Sequence, residues 1–327
     1  MAKRLLPALR KFIQVLVDRP ITPAVHDEED IRCLRFNSGV MQSSMHISAP
    51  FALDLSYTQT MMGFLLFNAE PRHILIIGLG GGSLSKYCYR QFPQARVTTV
   101  EINPGVIALR DEFLIPADDE RFQIVEADAS EYMARNGVQA DVILLGGYDA
   151  QGLPNTLRSE AFYVNCQKAL TDDGVLAANL WGGEPNRALY ISRLISIFDG
   201  RVWWSKPLDS RNLIAFAVKN QHFYPHWARL TAMAQTLKTR YELDLAHVIN
   251  HMRNRLDPDG YASRKLGHMI TQGIQAGAVY RLIADLFHHL QRLRYRYWSA
   301  VRALRGKCIK DIRYRDDAGL DGNGRGV

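Results

Sequence analysis

Residues 73–101 read HILIIGLGGGSLSKYCYRQFPQARVTTVE. His73–Ile77 is a short apolar run stopped by glycine, which reads as a buried strand. Gly78, Gly80, Gly81 and Gly82 follow it. Glycine lets a backbone pass close to a ligand and takes positive φ at little steric cost. Leu84 to Gln91 reads as a helix, whose first turn presents free N–H groups. Arg96–Val100 is a second strand, and Glu101 ends it, 23 residues after Gly78. Dinucleotide-binding proteins share a glycine loop of this kind, so the loop alone does not name a ligand. A carboxylate at the end of the second strand is placed to accept both hydroxyls of a ribose.

The same alternation continues downstream. Pro104–Phe113 reads as a helix, Phe122–Val125 as a strand, Ala129–Asn136 as a short helix and Asp141–Leu145 as a strand. Ser159–Leu170 is helical and runs into a turn at Thr171–Gly174, and Val175–Leu180 is a fifth strand. Strands alternating with helices predict an α/β fold, a parallel sheet covered on both faces. Upstream, residues 31–47 read as a β-hairpin with its turn at Asn37-Ser38-Gly39. Met61, Met62, Leu65 and Leu66 suggest a helix over Tyr57–Phe67. Residues 222–256 are predicted helical, up to the breaker Asp257-Pro258-Asp259-Gly260.

The ends read differently. Leu5, Leu6, Leu9, Phe12, Ile13 and Leu16 share one helical face, which suits packing on the core or a partner subunit, or lying on a membrane surface. Ile283, Leu286, Leu290, Leu293, Tyr297, Ala300 and Leu304 form a heptad-like stripe. Residues 281–315 hold ten Lys/Arg against two Asp, a local +8, so the rest of the chain sums to −1 within its net +7. The basic tail therefore suits a packed or oligomerising helix with solvated arginines, or an anionic partner. These signals divide the chain into an N-terminal amphipathic helix (1–30), a hairpin segment and linking helix (31–69), a nucleoside-binding domain (70–220), a helical extension (221–315) and a disordered tail (316–327).

Composition excludes several classes. Hydrophobic content of 47% and charged content of 22% over 327 residues are those of a globular protein. No apolar run reaches the roughly 18–20 residues of a membrane span. Cys33, Cys88, Cys166 and Cys308 are scattered without CxxC spacing, which argues against a disulfide framework and a zinc site and suits a reducing, cytoplasmic setting. His247 and His251 stand four apart on a predicted helix but belong to no metal motif, and no metal is expected.

Five ordered blocks carry a more specific resemblance: HILIIGLGGGSLSKY (73–87), TTVEINPGVIAL (98–109), DERFQIVEADASEYM (119–133), ADVILLGGYDAQGLPNTLRSEAFY (140–163) and LTDDGVLAANLWGGE (170–184). With SGVMQSSM (38–45) and LSYTQTMM (55–62), they resemble the spermidine synthase family of aminopropyltransferases over roughly residues 33–220. The resemblance implies a class I S-adenosylmethionine-methyltransferase-like Rossmann fold with an N-terminal hairpin, a homodimer, and decarboxylated S-adenosylmethionine as donor substrate. It implies that Glu101 holds the ribose and that Asp128 and Ala129 hold the adenine, with Gly78, Gly80, Gly81 and Gly82 of the loop also binding the cofactor. Asp128 is also placed to cap the helix that follows it. Gln42 and Tyr57 would line the polyamine and nucleoside pocket, and Pro154 and Leu157 a gating loop. Asp149 matches the second acid of the family's paired-aspartate motif and is the candidate catalytic residue.

Acids are needed because the acceptor amine, with a pKa near 10, is protonated at neutral pH. A carboxylate must bind it, orient it and accept its proton. This chain departs from the family at two such points. Gly146 stands where the family has its first aspartate, and the glycine loop lacks the family's acid. Asp149 then acts alone, or Glu184 approaches from the end of the fifth strand. Three functions remain open: aminopropyl transfer to an amine such as putrescine, methyl transfer from intact S-adenosylmethionine to a small molecule, and a non-catalytic nucleoside-binding module.

Overall fold

The computed structural model describes residues 22–36, 41–135, 137–148 and 152–254, all within one compact unit, Met1–Pro258. The amphipathic stretch at 3–18, the turn at Asn37-Ser38-Gly39, Asp149, the heptad-like stripe and residues 316–327 lie outside the described residues.

A small antiparallel sheet comes first, in the order β1 (Ala24–Glu28), β2 (Ile31–Arg35), β3 (Met41–His46). β2 and β3 are the expected hairpin, with a bulge between Leu34 and Arg35. β1 corrects the expectation of an N-terminal helical segment over 1–30: residues 24–28 form a strand. AVHDE is an edge strand with four of its five residues exposed. It pairs its backbone with β2, from Ala24↔Arg35 to Glu28↔Ile31, and so leaves no hydrophobic period to read.

The main sheet contains β4 (His73–Ile77), β5 (Arg96–Glu101), β6 (Phe122–Glu126), β7 (Ala140–Leu145), β8 (Leu170–Leu180), β9 (Val202–Ser205) and β10 (Leu213–Val218). Their order is β6-β5-β4-β7-β8-β10-β9. β4 to β8 run parallel, whereas β10 is antiparallel to both β8 and β9. The helices are α1 (Ser56–Met61, continued by a 3₁₀ turn Met62–Leu66), α2 (Ser83–Gln91), α3 (Pro104–Ile107), α4 (Ala129–Ala134), α5 (Glu160–Ala169), α6 (Arg187–Ile197), α7 (Trp227–Tyr241) and α8 (Ala246–Asn254).

The run HILII shows why the sheet is covered twice. Successive side chains of a strand point to opposite faces. Ile74 and Ile76 enter a core with Met45, Phe64, Tyr87 and Val248. Leu75 and Ile77 enter a second core with Met133, Phe162 and Leu194. The hairpin, α1, α2, α7 and α8 thus cover one face, and α4, α5 and α6 the other.

Two expected elements are altered. The helix predicted over Pro104–Phe113 stops at Ile107. Beyond it Leu109 and Arg110 bond three residues back, and Ile115 N–H donates to the Arg110 carbonyl five residues back, so the α period is lost. The predicted turn at Thr171–Gly174 is a bulge within β8: Ala140 pairs with Leu170, and the next register pair is Val142 with Val175. Thr171 Oγ1 donates to Asp141 Oδ1 at 2.7 Å and fastens the bulge. The histidines of α8 serve packing: the His247 ring lies 3.4 Å from Thr60 Oγ1 and the His251 ring 3.1 Å from Ser205 Oγ.

Two buried polar groups yield predictions about stability. Lys86 on α2 is 0% exposed. Its Nζ donates to the Phe113 carbonyl at 2.6 Å and lies 2.9 Å from Met45 Sδ. Burial lowers its pKa to about 8 from an ordinary 10.5. The unfolded chain therefore binds this proton more readily, and the cost of charging a buried lysine is present below pH 8 and relieved between pH 8 and 10.5. Lys86→Met should raise unfolding free energy by about 2 kcal/mol at pH 7, with the gain over wild type shrinking as pH rises toward 10; urea unfolding at both pH values measures it. The Tyr163 hydroxyl is buried without a hydrogen-bond partner among the described residues. Tyr163→Phe should leave stability unchanged or raise it by about 1 kcal/mol, and a clear loss in the same assay would refute that reading.

Candidate active site

A cavity opens at the carboxyl ends of β4 to β7, where the chain reverses strand order about β4, the usual position of a ligand in an open α/β sheet. The hairpin closes one side with Leu34, Phe36, Gln42 and Ser43, and α1 adds Tyr57 and Thr58. The glycine loop contributes Gly78, Leu79, Gly80 and Ser83, and the end of β5 contributes Glu101 and Ile102. Ala127, Asp128 and Ala129 follow β6; Gly146, Gly147 and Tyr148 follow β7; Pro154, Thr156 and Leu157 form the remaining wall.

The expected nucleoside residues come together there. Glu101 is fixed by two backbone donors: Leu79 N–H to Oε2 at 2.8 Å and Asn103 N–H to Oε1 at 2.9 Å. Each carboxylate oxygen carries further acceptor capacity, so Glu101 is oriented and still able to receive ribose hydroxyls. Asp128 caps α4, accepting from Ser130 N–H at 2.6 Å and Glu131 N–H at 3.2 Å, both on Oδ1. Both cap bonds fall on one oxygen, so capping does not compete with a contact through Oδ2. Gly78 and Gly80 line the cavity, whereas Gly81 and Gly82 do not. A Cβ on Gly81 would meet Phe113 and Ser43 at 2.8 Å, and Gly82, at φ +70°, begins α2 against Ile115.

The other end of the cavity is apolar and hydroxylic. Burial pushes the Tyr57 phenol up to about 12, so it stays a neutral hydrogen-bonding group. The Tyr148 hydroxyl donates to the Asn179 carbonyl and accepts from Trp181 N–H at 2.7 Å. Gly146 lines the cavity, and among the described residues a Cβ built there would have only the Ile77 carbonyl within 4 Å, at 3.9 Å. Glu184, expected at the amine end, is not among the lining residues; it is ion-paired with Arg158 at 3.0 Å. Ser43, Thr58, Leu79, Tyr148 and Thr156 also line the cavity, beyond the residues the sequence assigns to a site. Single hydroxyls and an apolar loop residue carry no motif, and only the strand exits and the hairpin bring them together. Among the described residues no group of three or more His, Cys, Asp or Glu could hold a metal ion, and no helix is long and apolar enough to cross a membrane.

The chain is similar to known proteins. A family model described as the spermine/spermidine synthase domain matches residues 54–189. A polyamine aminopropyltransferase of Chromobacterium violaceum is 35% identical over 245 residues, covering 75% of this chain and 94% of the relative. One from Neisseria meningitidis serogroup A is 36% identical over 249 residues, covering 76% and 92%. Among solved structures, a probable spermidine synthase from Corynebacterium glutamicum superposes with a TM-score of 0.56 at 20% identity, covering 66% of this chain and 83% of that one. The fold is the expected Rossmann-like one.

Proposed function

This chain belongs to the spermine/spermidine synthase family, and from that membership we propose that it transfers an aminopropyl group from decarboxylated S-adenosylmethionine to an amine. The observation that carries this reading is the cavity itself, which joins the Glu101 and Asp128 carboxylates to the Gln42 and Tyr57 side chains across the glycine loop. Glu101 takes the ribose hydroxyls, and Asp128 and Ala129 take the adenine edge. Gln42 and Tyr57 border the acceptor, and Asp149 binds its ammonium and accepts the proton it sheds. The freed nitrogen lone pair forms a C–N bond to the propyl carbon as the C–S bond breaks. The bonding pair stays on sulfur, which leaves as the neutral thioether methylthioadenosine. Alignment of nitrogen, carbon and sulfur supplies much of the acceleration.

Calorimetry with decarboxylated S-adenosylmethionine, S-adenosylmethionine and methylthioadenosine, with amine consumption followed in parallel, tests the reading. Tight binding of the decarboxylated donor and methylthioadenosine, with amine-dependent turnover, is the expected result. Methyl transfer is the second reading, favoured by the uncharged loop residues Leu79 and Gly80 on the cavity, which would not repel the carboxylate of the intact cofactor. Preferential binding of intact S-adenosylmethionine would select it. Nucleoside binding without any turnover would select the non-catalytic module, and no nucleoside binding at all would remove all three.

A further inference from the structure

Stability alone does not account for Lys86. Its side chain is fully buried, and its charge faces no carboxylate but the Phe113 carbonyl at 2.6 Å and Met45 Sδ at 2.9 Å. A buried charge so placed costs free energy that an apolar side chain would save. What the ammonium grips is strained. Leu114, the residue after its carbonyl partner, sits at φ +52°, a left-handed conformation that a Cβ makes costly. Arg32 Nη1 holds the carbonyl one residue earlier, donating to Glu112 at 2.5 Å. Two cationic side chains therefore hold successive peptides just before the strained residue. Such strain persists only where the surroundings impose it, and it gathers where geometry serves a site.

That turn is the floor beneath the glycine loop. Phe113 lies 2.8 Å from where a Cβ on Gly81 would stand, and Ile115 2.6 Å from one on Gly82. At the loop's other end, Leu79 N–H donates to Glu101 Oε2 at 2.8 Å, so the path of the loop orients the carboxylate assigned to the ribose. Lys86 also reaches the hairpin. Its partner Met45 shares β3 with Gln42 and Ser43 of the cavity lining, and Ser83 Oγ donates to the Ser44 carbonyl at 3.3 Å. Building on the nucleoside-binding part of the proposed function, we infer that Lys86 is a positioning residue for the nucleoside: by gripping the Phe113 carbonyl it holds the strained turn at Leu114 beneath Gly81 and Gly82, and so sets the loop and Glu101 for the ribose. Lys86 itself does not line the cavity. Its contribution is to preorganise the groups that do.

The test uses the full chain, with methylthioadenosine affinity by calorimetry and urea unfolding on the same variants. Lys86→Met should weaken methylthioadenosine binding by about tenfold or more while its urea midpoint at pH 7 rises. A merely structural lysine would move the two together. Lys86→Leu repeats the measurement with a different packing shape, and the same opposition is expected. Leu114→Gly removes the strain, because glycine takes positive φ freely. Added to Lys86→Met, it should recover about threefold or more of the lost affinity. Unchanged affinity in the folded Lys86 variants overturns the inference, as does a loss of affinity that follows a lowered midpoint. No recovery with Leu114→Gly overturns it too. If neither Lys86 variant folds, the lysine is a requirement of the core and the positioning role is refuted. Absence of nucleoside binding by wild type removes the nucleoside pocket itself, whereas wild-type binding that Lys86→Met leaves intact removes only the role of Lys86.

Discussion

Gly78→Ala should lower unfolding free energy by about 2–4 kcal/mol and weaken methylthioadenosine binding by about 100-fold or more. Gly78 sits at φ +92°, and a Cβ there would fall 2.6 Å from Gly147 Cα, 2.9 Å from Gly147 N and 3.1 Å from the Gly146 carbonyl carbon. All three atoms are backbone, so no side chain can rotate away. Gly78 N–H donates to the Val100 carbonyl and Gly146 N–H to the Ile77 carbonyl, each at 2.9 Å. A methyl group would therefore push apart the exits of β4 and β7, which form the floor of the cavity. Gly80→Ala is the internal comparison. It too has a positive φ, +53°, but among the described residues its Cβ would meet only the Ser43 side chain, no nearer than 3.6 Å. Its cost should be about 1 kcal/mol. Urea unfolding and calorimetry on both variants measure the contrast, and equal effects would mean that backbone crowding at the β4–β7 seam is not what demands the glycine.

This contrast shows what a glycine-rich stretch discloses and what it withholds. The string Gly78–Gly82 announced a ligand-binding loop, yet two of its glycines serve the packing of Phe113 and Ile115. Glu101 and Asp128 were legible because a strand end is a position with a fixed direction: Glu101 is the last residue of β5, and Asp128 stands two residues past the end of β6. β10 was legible in principle, since LIAFAV is six consecutive buried residues of the same character as HILII. β9 was not, because four residues of VWWS are too few to show a period. Lys86 and Arg158 were invisible for a different reason. A basic residue on a helix or loop reads as solvated, and nothing local says that the hairpin will close over Lys86 or that Glu184, 26 residues along, will meet Arg158. Those are long-range contacts, and they decide whether an acid remains available to a substrate.

Gly146→Asp should raise the turnover number for aminopropyl transfer by about tenfold or more, with methylthioadenosine affinity little changed. A positioned base contributes roughly 10²–10⁴-fold in proton-transfer steps, and only part of that is recoverable by a carboxylate in a setting not otherwise tuned to it. The structure has room for the change. Gly146 is on the cavity, its own bond to Ile77 is made through the backbone N–H, and among the described residues its Cβ would meet nothing closer than the Ile77 carbonyl at 3.9 Å. The new carboxylate would face the acceptor end, three residues before Asp149. Gly147→Asp provides the steric control, since a Cβ there meets Leu157 at 3.2 Å and Ile77 at 3.4 Å, and it should lower turnover. Steady-state kinetics across pH 6–9 separates the outcomes. A rise in turnover for Gly146→Asp with acceptor KM nearly constant would mean that the glycine leaves proton acceptance to a less effective group. No rise, with nucleoside binding intact, would mean that Asp149 already carries the proton and that Gly146 exists to leave volume for the acceptor.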